Sequence, residues 1–227
     1  MFDDLDDAVT GSGIREETTT PKKSFQPKAK KQWEAEIEHE PKKINPDTMG
    51  RKSKTYAISG EEPPASLVDV FTALLGGMES KGFTLNALNG ETQGLEPVIL
   101  QGVEVTVDLY SPWTGFNKTT EVKCDTPLAD AYSIVTGFIK TFGTFKPGGR
   151  AFMARRVHQI LGHDLKTPIE FLAVYTADGA EKANEVTRST GNTGIAIQIA
   201  TGAGIPVFNL HKADGVDRLK NFIKTLT

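Results

Sequence analysis

The sequence predicts an α/β fold, an open parallel sheet with helices on both faces, preceded by a disordered N-terminal tail. Three observations carry it. From Thr55 onward, short apolar runs alternate with segments of helical periodicity, the mark of a parallel sheet covered on both sides. Residues 169–175 read as a strand, apolar except for Glu170, of the kind found at the centre of such a sheet. Residues 1–54 lack apolar periodicity and cannot bury enough surface to offset the entropy of ordering. Two regions follow: a charged tail over 1–54 and one domain over 55–227.

The tail carries its charge in blocks. Asp3, Asp4, Asp6, Asp7, Glu16 and Glu17 come first, and a lysine-rich half from Lys22 to Lys54 follows. Phe2 and Leu5 in the acidic tip are spaced as anchors for a short helix docking in a partner's groove, against the plainer reading of a solvated tail. In the domain, residues 55–59 read as the first strand. Residues 67–81 follow as an amphipathic helix, with Leu67, Val70, Phe71, Leu74, Leu75 and Met78 on one face. A second strand is expected over 83–88, a short helix over 94–101 and a third strand over 103–110. An irregular polar stretch then runs to Cys124. Residues 128–142 and 151–161 have helical character, with Pro147, Gly148 and Gly149 breaking the chain between them. After the strand at 169–175 come a polar loop, a glycine turn, a helix over 195–202, a last strand over 205–210 and a closing helix over 216–226.

Composition excludes several classes. The chain has 227 residues, 38% of them hydrophobic, enough for one sizeable core. A formal net charge of -3 gives no global attraction to nucleic acid or an anionic membrane. The single cysteine, Cys124, has no partner for an intramolecular disulfide, and no apolar run near the N-terminus reads as a signal peptide or membrane span. A reducing cytoplasm without membrane association fits these features. Cys124 sits in a polar stretch with no histidine nearby in sequence, so it reads as structural. His39, His158, His163 and His211 show no metal-ligand spacing, and no metal or other cofactor is expected.

In an open parallel sheet the ligand lies beyond the carboxyl ends of the strands, so the residues just past each strand carry the information. Here they are Ser59 and Gly60, Asn89 and Gly90, and Trp113, which reads either as a stacking platform for a base or as a lid or core residue. The sharper signal is Ser189-Thr190-Gly191-Asn192-Thr193-Gly194 opening a small-residue helix. Such a turn aims backbone N–H groups and the positive helix end at one spot, which suits a phosphate. Its spacing matches neither the dinucleotide-binding glycine pattern nor the lysine-containing triphosphate loop. Arg155 and Arg156 are candidates for a second anion contact, one of the two being expected to be solvated.

Together these residues resemble the SLOG superfamily, the Rossmann-like group that includes DprA and the LOG enzymes. The similarity is carried by Tyr56-Ala57-Ile58-Ser59-Gly60, Leu85-Asn86-Ala87-Leu88-Asn89-Gly90 with Gly94, Met153-Ala154-Arg155-Arg156, Ile160-Leu161-Gly162, and Gly191-Asn192-Thr193-Gly194 leading to Val207-Phe208-Asn209-Leu210. It is nearest to the stand-alone DprA-like proteins of tailed bacteriophages. The resemblance implies a Rossmann-like fold, a nucleotide-type ligand and a homo-oligomer. It departs from the LOG-type hydrolases where their catalytic glutamate would stand, because that position holds Gln198, and an amide cannot serve as the base. Glu61, Glu62, Glu91 and Glu96 remain as carboxylates near strand ends without an assigned role, so no catalytic residue is named.

The function expected is therefore binding of a nucleotide or nucleotide-derived ligand in the host cytoplasm, as a sensor or sequestering protein. Two alternatives stand beside it: single-stranded DNA binding in the DprA manner, and partner binding through the acidic tail to a host or phage protein.

Overall fold

The computed structural model describes residues 40–50 and 52–226. Five strands make one sheet: β1 (Thr55–Gly60), β2 (Thr84–Leu88), β3 (Val107–Tyr110), β4 (Phe171–Tyr175) and β5 (Val207–Asn209). All neighbours pair in parallel, in the order β3-β2-β1-β4-β5. The helices are α1 (Ala65–Glu79), α2 (Leu95–Gly102), α3 (Ala129–Phe138), α4 (Pro147–Leu161), α5 (Thr193–Gly202) and α6 (Gly215–Thr225). This is the α/β, Rossmann-like arrangement expected. The chain builds outward from β1 to β3, then crosses back to lay β4 on the other side of β1. The connections after β1 and β4 therefore leave in opposite directions and open a crevice at their carboxyl ends.

Strand alternation divides the core in two. Tyr56 and Ile58 of β1 pack with Phe71, Leu75 and Met78 of α1, Leu95 and Ile99 of α2, and Leu219 and Ile223 of α6. Ala57, Leu172 and Val174 face the other way, against α3, α4 and α5. Phe71, Leu75 and Met78 recur at helical spacing, as predicted, whereas Val70 lies off that stripe and is exposed.

Four local expectations change. Pro147, Gly148 and Gly149 do not break the chain but form the first turn of α4, with Pro147 where its missing N–H leaves no bond unmade. Strand β3 is shorter than predicted because Val103 caps α2 and pairing with β2 covers only Val107 to Tyr110. Helix α3 stops at Phe138, and Phe142–Thr144 forms a separate turn. Cys124 is buried and bridges to Tyr110, which extends the edge beside β3.

Residues 40–50 and 52–54, placed in the tail by sequence, lie against the domain. The Lys42 N–H donates to the Ser133 carbonyl at 2.9 Å, Gly50 to Lys166 at 2.6 Å and Ser53 to Pro168 at 3.2 Å. Ile44 and Met49 pack on the core cluster shared by α3, α4 and α5, with Ile44 beside Gly202 of α5. Two apolar side chains five residues apart leave no periodic signal. Phe2 and Leu5, the candidate partner anchors, lie outside the described residues. Among the described residues no helix is long and apolar enough to cross a membrane.

Candidate functional site

A cleft of about 210 Å³ occupies the crevice between the ends of β1, β2 and β4. Ile58, Ser59, Gly60 and Glu61 form its floor from β1. Leu88, Glu91, Gln93 and Glu96 line it from the β2 side, Arg156 from α4, and Thr190, Gly191, Asn192 and Thr193 from the start of α5. Gly60 has φ +143°, and a Cβ there would lie 2.2 Å from the Tyr175 carbonyl oxygen. Only glycine lets β1 and β4 stay paired to their last residues, which is what brings the two loops into one crevice.

The glycine turn offers fewer donors than its sequence implies. The N–H groups of Gly191, Gly194 and Ile195 already donate to the carbonyls of Arg188, Gly191 and Asn192. The N–H groups of Asn192 and Thr193 have no partner among the described residues, and they sit at the positive end of α5, in the cleft wall. The hydroxyls of Ser189 and Thr190, though part of the turn, are not left for a ligand. Instead both donate to Asp178, which also accepts from Thr176, Thr187 and the Ala180 N–H. Desolvation is the largest single influence and acts to raise the Asp178 carboxyl, but these bonds together outweigh it and hold the group down at about 2. It stays ionised and fixes the loop that presents the turn. Gly194 is internal to the wall, since a Cβ there would lie 2.6 Å from Val186.

Arg155 and Arg156 are both buried, so neither is the solvated one expected. Arg155 donates to the Asn89 carbonyl and, at 3.1 Å, to Glu91 Oε1, with its guanidinium 4.5 Å above the Phe152 ring. Arg156 donates to Ser59 Oγ and to the same Glu91 Oε1, each at 3.1 Å. Ser59 in turn donates to Thr193 Oγ1 at 3.4 Å. A chain of polar contacts thus links β1, the β2 loop, α4 and α5. Glu96 behaves differently. It accepts from the Leu88 N–H at 3.0 Å and from Gln159 Nε2 at 3.2 Å, and burial pushes its carboxyl up to about 8 despite these bonds. At neutral pH it is a protonated, neutral acid in the cleft wall.

The structure therefore gathers Ser59, Gly60, Arg156, Thr190, Gly191, Asn192 and Thr193 around one cleft. Asn89, Gly90, Trp113, Arg155, Ser189 and Gly194 fall outside its lining. Asn89 donates to Ser111 Oγ at 2.8 Å. Gly90 makes room for Phe116, 2.5 Å from where its Cβ would be. Trp113 is not a platform for a base within the cleft, because its ring meets Phe116 and Phe152 edge-on at 4.9 and 5.5 Å. Gln198 also lies outside the lining. Of the unassigned carboxylates, Glu61, Glu91 and Glu96 reach the cleft and Glu62 does not. Gln93 and Asp178 escaped sequence reasoning altogether. The cluster of hydroxyl residues around one acid was the available sign of Asp178.

One grouping outside the cleft was invisible in the spacing. Cys124, His158 and His163 bring potential ligand atoms within 4.8 Å of one another, so Cys124 does have histidines beside it in space. His158 is already committed to the fold. Its Nε2 accepts from the Leu128 N–H at 3.0 Å, and Nδ1 is 3.1 Å from the Gly162 carbonyl, leaving no lone pair for a metal without loss of a bond.

No family model, curated protein or solved structure matches the chain. Function therefore has to be read from the chemistry of the site.

Proposed function

We propose that the chain binds a nucleotide or nucleotide-derived ligand in the cleft at the carboxyl ends of β1, β2 and β4, without chemical turnover. The observation that supports this best is the pair of unpartnered N–H groups on Asn192 and Thr193, at the head of α5 and in the same wall as Arg156. A phosphate takes up those donors and gains from the helix end. At about 210 Å³ the cleft is smaller than the roughly 300–1,000 Å³ of pockets that enclose a whole drug-sized ligand. It takes a phosphate and a sugar and leaves the base at its mouth. The resemblance to phage DprA-like proteins extends the proposal to a use, sensing or sequestering a nucleotide signal in a host cytoplasm.

The test is thermal melting of the full chain against mononucleotides, cyclic and linear dinucleotides, ADP-ribose and short single-stranded DNA, repeated with Asn192→Asp. The side chain of Asn192 is exposed and heads α5, so an aspartate there suits the helix while repelling an anion. A ligand at a hundred times its dissociation constant adds about 2.7 kcal/mol of stability. The expected result is a clear rise in melting temperature with one small nucleotide, lost in a variant that melts normally on its own. No shift with any small nucleotide, or an undiminished shift in Asn192→Asp, removes the proposal. A shift with DNA alone transfers it to nucleic acid.

A further inference from the structure

Glu91 is the unusual member of the cleft. It follows β2, the strand beside β1, and its side chain is 28% exposed and lines the cavity. Both neighbouring guanidinium groups, from Arg155 and Arg156, converge at 3.1 Å on a single oxygen, Oε1. Oε2 has no hydrogen-bond partner among the described residues. The carboxylate is thus fixed in place by one oxygen while the other is left with its acceptor capacity unused, on a residue that lines the cleft.

Such a group cannot face a phosphate, which it repels. What it satisfies is a pair of neighbouring hydroxyl donors. In Rossmann-type sheets an acidic residue after the second strand accepts from a ribose whose phosphate rests on the helix end after the first strand; here the helix end is that of α5, which follows β4 on the other side of β1. The charges of the cleft agree. Arg155 and Arg156 are already engaged by Glu91, so no free guanidinium awaits a second phosphate, and Glu61 adds another negative charge at the rim.

Building on the nucleotide reading above, we propose that Glu91 selects the sugar. Its carboxylate accepts from the 2′- and 3′-hydroxyls of a ribose whose 5′-phosphate lies on Asn192 and Thr193. The site takes ribonucleotides with a free cis-diol and turns away both 2′-deoxynucleotides and 2′-phosphorylated ones. Arg155 and Arg156 are positioning residues for that carboxylate and make no direct ligand contact through the groups that hold it.

The deciding measurement is calorimetric titration of the native full-length chain with AMP, CMP, GMP and UMP, with their 2′-deoxy counterparts, and with adenosine 2′,5′-bisphosphate. A hydrogen bond to a charged acceptor corresponds to a preference of about tenfold or more for ribose. The expected result is that preference, with the bisphosphate weaker than AMP. Equal affinity for a ribonucleotide and its 2′-deoxy form, both lost in Asn192→Asp, overturns the role of Glu91 and leaves the nucleotide site standing. Binding of no member of either series removes the nucleotide reading and the sugar selection with it. Glu91→Gln adds a second readout. It is expected to narrow the ribose preference to about threefold or less, and a folded variant that keeps the native ratio overturns the role. The native ratio decides the matter whether or not that variant folds.

Discussion

The glycines of this chain look alike in sequence and do different work in space. Gly60 is held at φ +143° with the Tyr175 carbonyl oxygen 2.2 Å from where a Cβ would stand. Gly191, at φ +60°, has open space around it. Gly60→Ala is therefore expected to destabilise the fold by on the order of 3 kcal/mol, combining strain and a backbone clash, while Gly191→Ala bears strain alone, roughly 1–2 kcal/mol. Urea denaturation of the two variants checks the ranking, and a Gly191→Ala that is the more damaged of the two contradicts it. A ligand is not what these glycines mainly approach. Gly60 admits β4, Gly90 admits Phe116, and Gly94 admits the Gly60 carbonyl oxygen, 2.2 Å from where its own Cβ would be. The sequence shows that small residues follow the strands, but each close neighbour is brought in from elsewhere in the fold. Arg156, Asn192 and Thr193, which local chemistry marks in the sequence, do line the cleft. Asp178 is not so marked, because its meaning lies in hydroxyls from residues 176 to 190 that only the folded loop turns inward.

At the level of elements, what was legible is what periodicity encodes. The apolar runs of β1, β2 and β4 and the stripe of α1 announce themselves over a few residues. The failures occur where a tertiary partner decides: Pro147 opening α4, Val103 capping α2, Ile44 seated beside Gly202 of α5. The loop from β4 to α5 is held by one such partner. Asn209 ends β5 with its side chain fully buried, donating from Nδ2 to Thr176 Oγ1 at 2.7 Å and to the Ala180 carbonyl at 3.0 Å. Its Oδ1 accepts from the His211 N–H at 3.1 Å, and its own N–H donates to Glu181 Oε1 at 2.7 Å. Glu181 then reaches α6 through Arg218 at 2.6 Å. Asn209→Ala leaves several of these groups buried without partners and is expected to cost about 2–4 kcal/mol. Hydrogen exchange should show the loss first in residues 176–190. Uniform loosening of the whole sheet instead would mean that Asn209 supports the core and not this loop.

Across the whole molecule, two buried groups carry protons the unfolded chain would handle differently, and they oppose each other. Burial lowers His158 from 6.5 to about 4, so between those values the unfolded chain holds the extra proton and stability rises with pH. Burial raises Glu96 from 4.5 to about 8, so between those values the folded chain holds the extra proton and stability falls as pH rises. Each contributes up to about 1.4 kcal/mol per pH unit within its window. From 4.5 to 6.5 the two slopes oppose and stability is nearly level. Above 6.5 His158 is neutral in both states and Glu96 alone acts, so stability declines toward pH 8. Below 4.5 the depressed carboxyls of Asp178, Asp164 and Glu181 lose their bonds on protonation, and stability drops again. Denaturant midpoints measured in half-unit steps should therefore show a shelf from about pH 5 to 6.5 and a fall from 6.5 to 8, in the range where most proteins of this size are at or near their best. Glu96→Gln removes one of the two opposing groups, so its curve should rise with pH to about 6.5, where His158 acts unopposed, and then stay level to pH 8, even if its absolute stability is lower. A native chain that is no less stable at pH 8 than at 6.5 means Glu96 is ionised in the fold, and the cleft then carries one more negative charge against any phosphate that enters it.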